Sequence, residues 1–246
     1  MRLTRPPIYY QIFDPKMKYI VSNLNGLVLM YIFASIICIA IFMIMGVVLS
    51  PKLGYQITAI IKLDEAISSL IYNAHSDLID EFMILLSTYG REIVWSAVIV
   101  FMGIFAGWKG KKIAVIIVIS FLIIMPLNTL FKNFFERPRP VVERQEIHVA
   151  QKTDFAYPSG HASIVSAGAL ILIVLFRKEK ELIFSAILAA EAALVCLSRI
   201  YVADHYFFDV IGGILLGTGI SLMVISFSKY LDPVITGVRK YLEKAP

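Results

Sequence analysis

Three short polar clusters interrupt a chain that is otherwise dominated by apolar residues. The first, KNFFERPRP at 132–140, follows a long uncharged run. If the preceding helix continues through Lys132, Asn128 lies one turn below it on the same face, and Pro138 and Pro140 stop the helix so that Arg139 marks where the chain leaves it. Two fixed cations bordering an apolar wall suit an anion. The second cluster, YPSGH at 157–161, reads as a helix start with Ser159 at its head. The exposed N–H groups of a first turn, helped by the helix dipole, bind phosphate oxygens, and Gly160 lets an anion approach the backbone. His161 then projects beside that anion, placed to give a proton to a leaving oxygen. In the third cluster, SRIYVADHYFFD at 198–209, His205 and Asp209 are four residues apart, hence on one face if helical. There the carboxylate can hold Nδ1–H and leave Nε2 as a nucleophile. Arg199 adds a planar fork of donors suited to two-point contact with phosphate oxygens.

Each cluster alone also fits a structural role, as a snorkelling cation, a helix cap or a local His–Asp pair. The elements that must position them are membrane helices. Of 246 residues 59% are apolar and only 17% charged, with a mean hydropathy of +0.78, which places the chain in lipid rather than in water. Uncharged runs at 19–51, 113–131 and 210–228 are long enough to cross a hydrocarbon core, and 93–108, 162–176 and 182–198 bring the expected count to six. Residues 57–89 mix apolar positions with Asp64, Glu65, Asp77, Asp80 and Glu81 at helical spacing, the pattern of helices lying in the interface. The expected fold is therefore all-α, a polytopic membrane bundle of about six transmembrane helices with interfacial helices between the first two, forming one domain over 1–246.

The first run starts too late and runs too long for a signal peptide, so it is expected to remain as the first helix. Cys38 and Cys196 fall inside spans, where a thiol behaves as a small hydrophobe, and neither disulfide nor metal chemistry is implied. The net charge of +5 does not point to nucleic acid, because the basic residues cluster between spans instead of along one face. With six spans both termini share a side, and that side carries fourteen Lys and Arg against nine opposite. The charge rule then puts the termini in the cytoplasm and all three polar clusters on the extracytoplasmic side of a cell membrane.

With order and spacing taken together, the clusters resemble the type 2 phosphatidic acid phosphatase (PAP2) superfamily. Its pattern is Lys, six residues, Arg-Pro; then Pro-Ser-Gly-His; then Ser-Arg, five residues, His, three residues, Asp. Residues 132–140, 158–161 and 198–209 match it, with Phe207 and Phe208 where members often carry Pro-Ser or Pro-Thr. The resemblance implies a metal-independent phosphatase without a cofactor, acting on a membrane lipid phosphate or diphosphate such as an isoprenyl diphosphate, phosphatidate or phosphatidylglycerol phosphate. His205 would attack phosphorus to form a phosphohistidine, with Asp209 orienting it. His161 would serve as acid and then base, while Lys132, Arg139, Ser159, Gly160 and Arg199 hold the phosphate. Two alternatives use the same motifs: transfer of the phosphoryl group to an acceptor other than water, and a non-catalytic lipid-binding or transport protein.

Outside the motifs, Glu191 lies two turns below Arg199 and is a candidate to support the site from beneath, or a protonated packing residue. Gly213 and Gly217 form a small-xxx-small pattern expected to serve close helix packing. Arg137 and Arg144 read as surface charge at a basic mouth, and His75 and His148 as loop or interface residues.

Overall fold

A computed structural model describes residues 15–74, 76–141 and 154–242 and is helical throughout the described chain, with no strand among those residues. Helix α1 (Pro15–Leu49) is followed by α2 (Thr58–Tyr72) and α3 (Asp77–Leu85). A nine-residue π-helical stretch (Leu86–Val94) then leads into α4 (Trp95–Ile104). Next come α5 (Gly107–Phe135), α6 (Gly160–Leu175), α7 (Glu179–Tyr201) and α8 (Phe207–Phe227), and a 3₁₀ turn (Ser228–Leu231) joins α8 to α9 (Asp232–Leu242). His75, His148 and Arg144 lie outside the described residues.

Among the described residues five helices are long and apolar enough to cross a membrane: Gly26–Leu49, Ile79–Ile104, Gly107–Phe135, Glu179–Tyr201 and Phe207–Tyr241. Phe33, Ile44, Leu122 and Ile187 on their outer faces are exposed, as befits helices that face lipid. The sixth expected span is α6, whose sixteen residues rise about 24 Å, short of a hydrocarbon core of about 30 Å. Most of its side chains are buried, because it is packed against α5, α7 and α8. Its N-terminus can therefore sit within protein instead of reaching the lipid surface. The second span begins at Ile79, earlier than the expected residue 93, so only α2 forms a separate helix in the expected interfacial stretch.

Small residues bring α6 and α8 together. A Cβ on Gly213 would come within 2.5 Å of the Ser159 carbonyl oxygen, and one on Gly217 within 2.1 Å of that of Ser163. Lipid tails are as apolar as leucine, so helices associate through such close packing and through hydrogen bonds. Asn128 Nδ2 on α5 donates to Ser163 Oγ on α6 at 2.9 Å, and Ser35 Oγ on α1 donates to the Gly219 carbonyl on α8 at 2.7 Å. Trp95 is buried against Gly168, where its six-membered ring occupies the space a Cβ would need.

The close approach makes a stability prediction. Gly217→Ala forces α8 from the α6 backbone and is expected to cost about 1–3 kcal/mol, read as a lower thermal unfolding midpoint in detergent. Gly103→Ala, where nothing lies within 4 Å of the new methyl, is expected to leave that midpoint unchanged or slightly raised.

Candidate active site

Four chain segments meet at one end of the bundle. Helix α5 continues beyond Lys132 to Phe135 and ends at Glu136, whose left-handed backbone (φ 50°) turns the chain away. The Arg137 carbonyl then accepts the Ala156 N–H at 2.7 Å, tying this exit to the segment that enters α6. Tyr157 is buried, stacks on Phe42 at 5.4 Å and donates its hydroxyl to the Phe42 carbonyl at 2.6 Å. Ser159 is the N-cap of α6, and its N–H donates to the Asp209 carbonyl at 3.0 Å. Between α7 and α8 a tight turn passes through Ala203, held at φ 55°, a left-handed conformation that costs about 1–2 kcal/mol for a residue with a Cβ. The amides of Asp204 and His205 both donate to the Arg199 carbonyl at 3.1 Å, which fixes the histidine over the end of α7.

The residues expected to hold phosphate converge here. Arg139 Nη1 donates to the Asp204 carbonyl at 2.6 Å and lies 3.3 Å from His205 Nε2. Lys132 forms an ion pair with Asp154, and Arg139 grips the same carboxylate through Nε and Nη2 at 3.0 and 2.7 Å. Arg199 is fully buried, with Nη2 on the Asp204 carboxylate and Nη1 on the Ser87 hydroxyl and, at 2.8 Å, the Ser87 carbonyl. Thus three expected phosphate cations hold internal carboxylates, Asp154 and Asp204. Ser159 Oγ is buried and makes no hydrogen bond, while Gly160 is open, with Asn128 Oδ1 and Arg91 Nη1 the nearest atoms a Cβ would meet, at 3.7 and 3.8 Å. His161 Nε2 is 3.9 Å from Glu92 Oε1.

His205 and Asp209 are adjacent, but not as two positions on one helix face. His205 precedes α8, and Asp209 sits in the first turn of α8 with Oδ2 accepting the Tyr206 N–H at 2.9 Å. That cap brings Oδ2 to 3.6 Å from His205 Nδ1, just beyond a hydrogen bond. Burial drives the His205 pKa well below its ordinary value, and Arg139, Arg199 and Lys132 push it the same way against Asp204. These surroundings favour the neutral ring, whose Nε2 faces Arg139 and is the nitrogen suited to a nucleophile's task.

Several residues escaped the sequence reading. Arg137 is not surface charge: it is 4% exposed and bridges Asp209 and Asp64. Asp154 and Asp204, which occupy the cations, carried no sequence signal of their own beyond proximity to the motifs. Arg91 and Ser87 reach the site because the π-helical stretch lies along α7; such stretches recur at functional sites. Glu191 does not reach it from beneath. Its carboxylate is buried beside Gly90 and Trp95.

Two cavities lie near the α7–α8 turn, and His205 lines the smaller. One of about 150 Å³ is lined by Glu65, Ser68, Tyr72, Pro140, His205 and Tyr206. The other, about 460 Å³ and almost wholly apolar, runs between α6, α7 and α8 past Ala192, Leu197, Phe207, Ile211 and Ile214. Ile200 lines both.

Residues 111–233 match the family model described as the PAP2 superfamily. The chain is 40% identical over 143 residues to an undecaprenyl-diphosphatase of Sulfolobus acidocaldarius, covering 57% of this chain and 66% of that protein. It is 25% identical to the undecaprenyl-diphosphatase BcrC of Bacillus subtilis, covering 69% and 85%. A crystal structure of a PAP2 type phosphatidylglycerolphosphate phosphatase from Bacillus subtilis shares the fold, with a TM-score of 0.63 and 23% identity over 81% of this chain and 98% of that one.

The carboxylate held by Lys132 and Arg139 leads to a binding prediction. Burial raises the Asp154 pKa, but the two cations outweigh it and hold it at about 2. The ion pair thus persists above the ordinary carboxylate value of about 3.9 and is lost only as pH falls through about 2. At neutral pH Asp154 competes with any incoming anion. Because Asp154 is half-exposed, Asp154→Asn is expected to tighten inorganic phosphate binding only about two- to fivefold by calorimetry.

Proposed function

This chain belongs to the PAP2 superfamily, and on that premise we propose that it is an integral membrane phosphatase that removes the terminal phosphate from a long-chain isoprenyl diphosphate, at the extracytoplasmic face. The observation that carries this reading is the gathering of Lys132, Arg139 and Arg199 around a buried His205, close to an apolar groove that shares Ile200 with the small cavity His205 lines. A phosphate needs the first, and a hydrocarbon chain needs the second. Two relatives are named for hydrolysis of a diphosphate lipid, which favours that headgroup over a phosphatidate.

In the proposed reaction Lys132, Arg139 and Arg199 exchange their internal carboxylates for the equatorial oxygens of the terminal phosphate, joined by the Ser159 hydroxyl and the Gly160 amide. Catalysis of phosphoryl transfer rests mainly on such prearranged positive charge. His205 Nε2 attacks phosphorus, the N–P bond forms as the P–O bond to the lipid phosphate breaks, and His161 supplies the proton to the departing oxygen. Asp209, beside Nδ1, stabilises the ring as it gains positive charge. Water then loses a proton to His161 and attacks phosphorus, the N–P bond breaks, and inorganic phosphate and neutral His205 are restored.

Purified protein in detergent is expected to release phosphate from an isoprenyl diphosphate faster than from a phosphatidate, and to carry acid-labile phosphate on His205 when quenched in alkali. His205→Ala should lower kcat by about four orders of magnitude or more; release at the wild-type rate in that variant would sink the assignment. A second expectation follows from the His205 environment. Because its pKa is lowered, the neutral form persists below pH 6.5, and the acid limb of kcat/KM assigned to this group should fall clearly below that value. A His205 limb at or above 6.5, identified by its displacement in Arg139→Gln, would contradict the geometry.

A further inference from the structure

The described mechanism makes no use of Arg137 and Asp64, yet both are almost completely buried at the site. Arg137 presents its two terminal nitrogens to different carboxylates, Nη1 to Asp209 Oδ1 at 2.6 Å and Nη2 to Asp64 Oδ2 at 2.5 Å. Its Cζ lies over the Tyr206 ring, 4.4 Å from the ring centre. Asp64 does more than complete the bridge. Its other oxygen, Oδ1, accepts the Phe208 N–H at 2.8 Å, and Ser68, one turn along α2, accepts the Phe207 N–H at 2.9 Å.

The first amides of a helix have no partner within it and need outside acceptors. Here α8 is capped from two directions: Asp209 takes the Tyr206 N–H from within, and α2 supplies Ser68 and Asp64 for the next two. All these contacts converge on the segment that carries His205 and Asp209. Asp209 has two oxygens and both are committed, Oδ1 to Arg137 and Oδ2 to the Tyr206 N–H, which sets Oδ2 at 3.6 Å from His205 Nδ1. If Arg137 shifts, the carboxylate rotates and the approach to the imidazole changes.

We propose that Asp64 and Arg137 are positioning residues that hold Asp209, and through it His205, in the orientation phosphoryl transfer requires. The inference rests on the proposed function above. It assigns a positioning task to α2, a helix outside the residues matched by the family model. It also accounts for three buried charges that would otherwise only burden the fold, since a buried ion pair is weak evidence for stability by itself. Burial pushes the Asp64 pKa up against the pull of Arg137, so the carboxylate is kept in an environment that does not favour its charge.

Asp64→Asn leaves an oxygen for the Phe208 N–H but no longer holds Arg137 by charge, and Arg137→Lys keeps the charge but cannot span both carboxylates with a planar fork. Each is expected to lower kcat on the lipid diphosphate about tenfold with KM within about twofold, and to slow formation of the His205 phosphoenzyme in rapid-quench assays by the same factor. Activities are normalised to folded protein by size-exclusion recovery and thermal unfolding. The double variant should fall no further than the worse single variant, because both changes break one chain of contacts. Unchanged kcat in both single variants, independent multiplicative losses, or losses that follow only the folded fraction would overturn the proposal. If the wild type releases no phosphate, or His205→Ala keeps its activity, the functional reading fails and takes this one with it. Loss of activity in His205→Ala beside intact Asp64→Asn and Arg137→Lys enzymes overturns the positioning role alone.

Discussion

Charge buried at the end of an apolar bundle is the constraint on which the rest of this structure depends. Lys132, Arg137, Arg139 and Arg199 lie within a site whose walls are helices facing lipid, together with Asp64, Asp154, Asp204 and Asp209. An ion taken from water into such surroundings carries a desolvation cost of several kcal/mol unless partners replace the water. The partners come from different elements: α2 gives Asp64, the exit of α5 gives three of the cations, the entry to α6 gives Asp154, and the α7–α8 turn and the first turn of α8 give Asp204 and Asp209. Satisfying each charge therefore fixes four chain segments relative to one another. The site and the local fold are one solution to one electrostatic problem.

Deeper in the bundle the problem is different and so is the answer. There the helices are held by close backbone approach and by single hydrogen bonds, Gly213 and Gly217 against α6, Asn128 to Ser163, and Ser35 to the Gly219 carbonyl. The two regimes meet at the start of α6. Gly213 lies against the Ser159 carbonyl, the Ser159 amide holds the Asp209 carbonyl, and Ser163 Oγ returns to Ser159 at 2.9 Å. A short α6, shielded on several sides, places its positive end inside protein, where a helix dipole is least screened.

The parts of this arrangement that were legible in the sequence are those written in local spacing. The helix through Lys132 and its stop before the prolines, the serine-headed start of α6 and the glycine pair of α8 all follow from a few neighbouring residues. The family resemblance at the three clusters agrees with the match over 111–233. What could not be read depends on contacts between distant residues. Asp64 and Arg137 are separated by 73 positions, and only the turn at Glu136 decides that Arg137 points inward while Arg139, two residues on, points to His205. His205 and Asp209 suggested a shared helix face, but capping at Tyr206 put the histidine in the preceding turn. The early start of the second span escaped for a related reason. Charged and apolar residues at 77–89 look interfacial in isolation, whereas the π-helical stretch that carries Arg91 and Ser87 packs along α7.

The internal carboxylates bear on how the proposed substrate would be taken up. Without a phosphate, Asp154 and Asp204 neutralise cations that would repel one another at close range, so the bundle can close without an anion from outside. The two are not equivalent. Asp154 is half-exposed and belongs to the chain entering α6, whereas Asp204 is buried and tied to the turn that carries His205. Displacing Asp154 demands only that an exposed side chain return to water, but displacing Asp204 demands movement beside the nucleophile. A phosphate approaching from water would therefore, on the proposed function, engage Lys132 and Arg139 first and Arg199 last. On the proposed function, binding of the headgroup and readiness of His205 are separate events, ordered by which carboxylate water can reach.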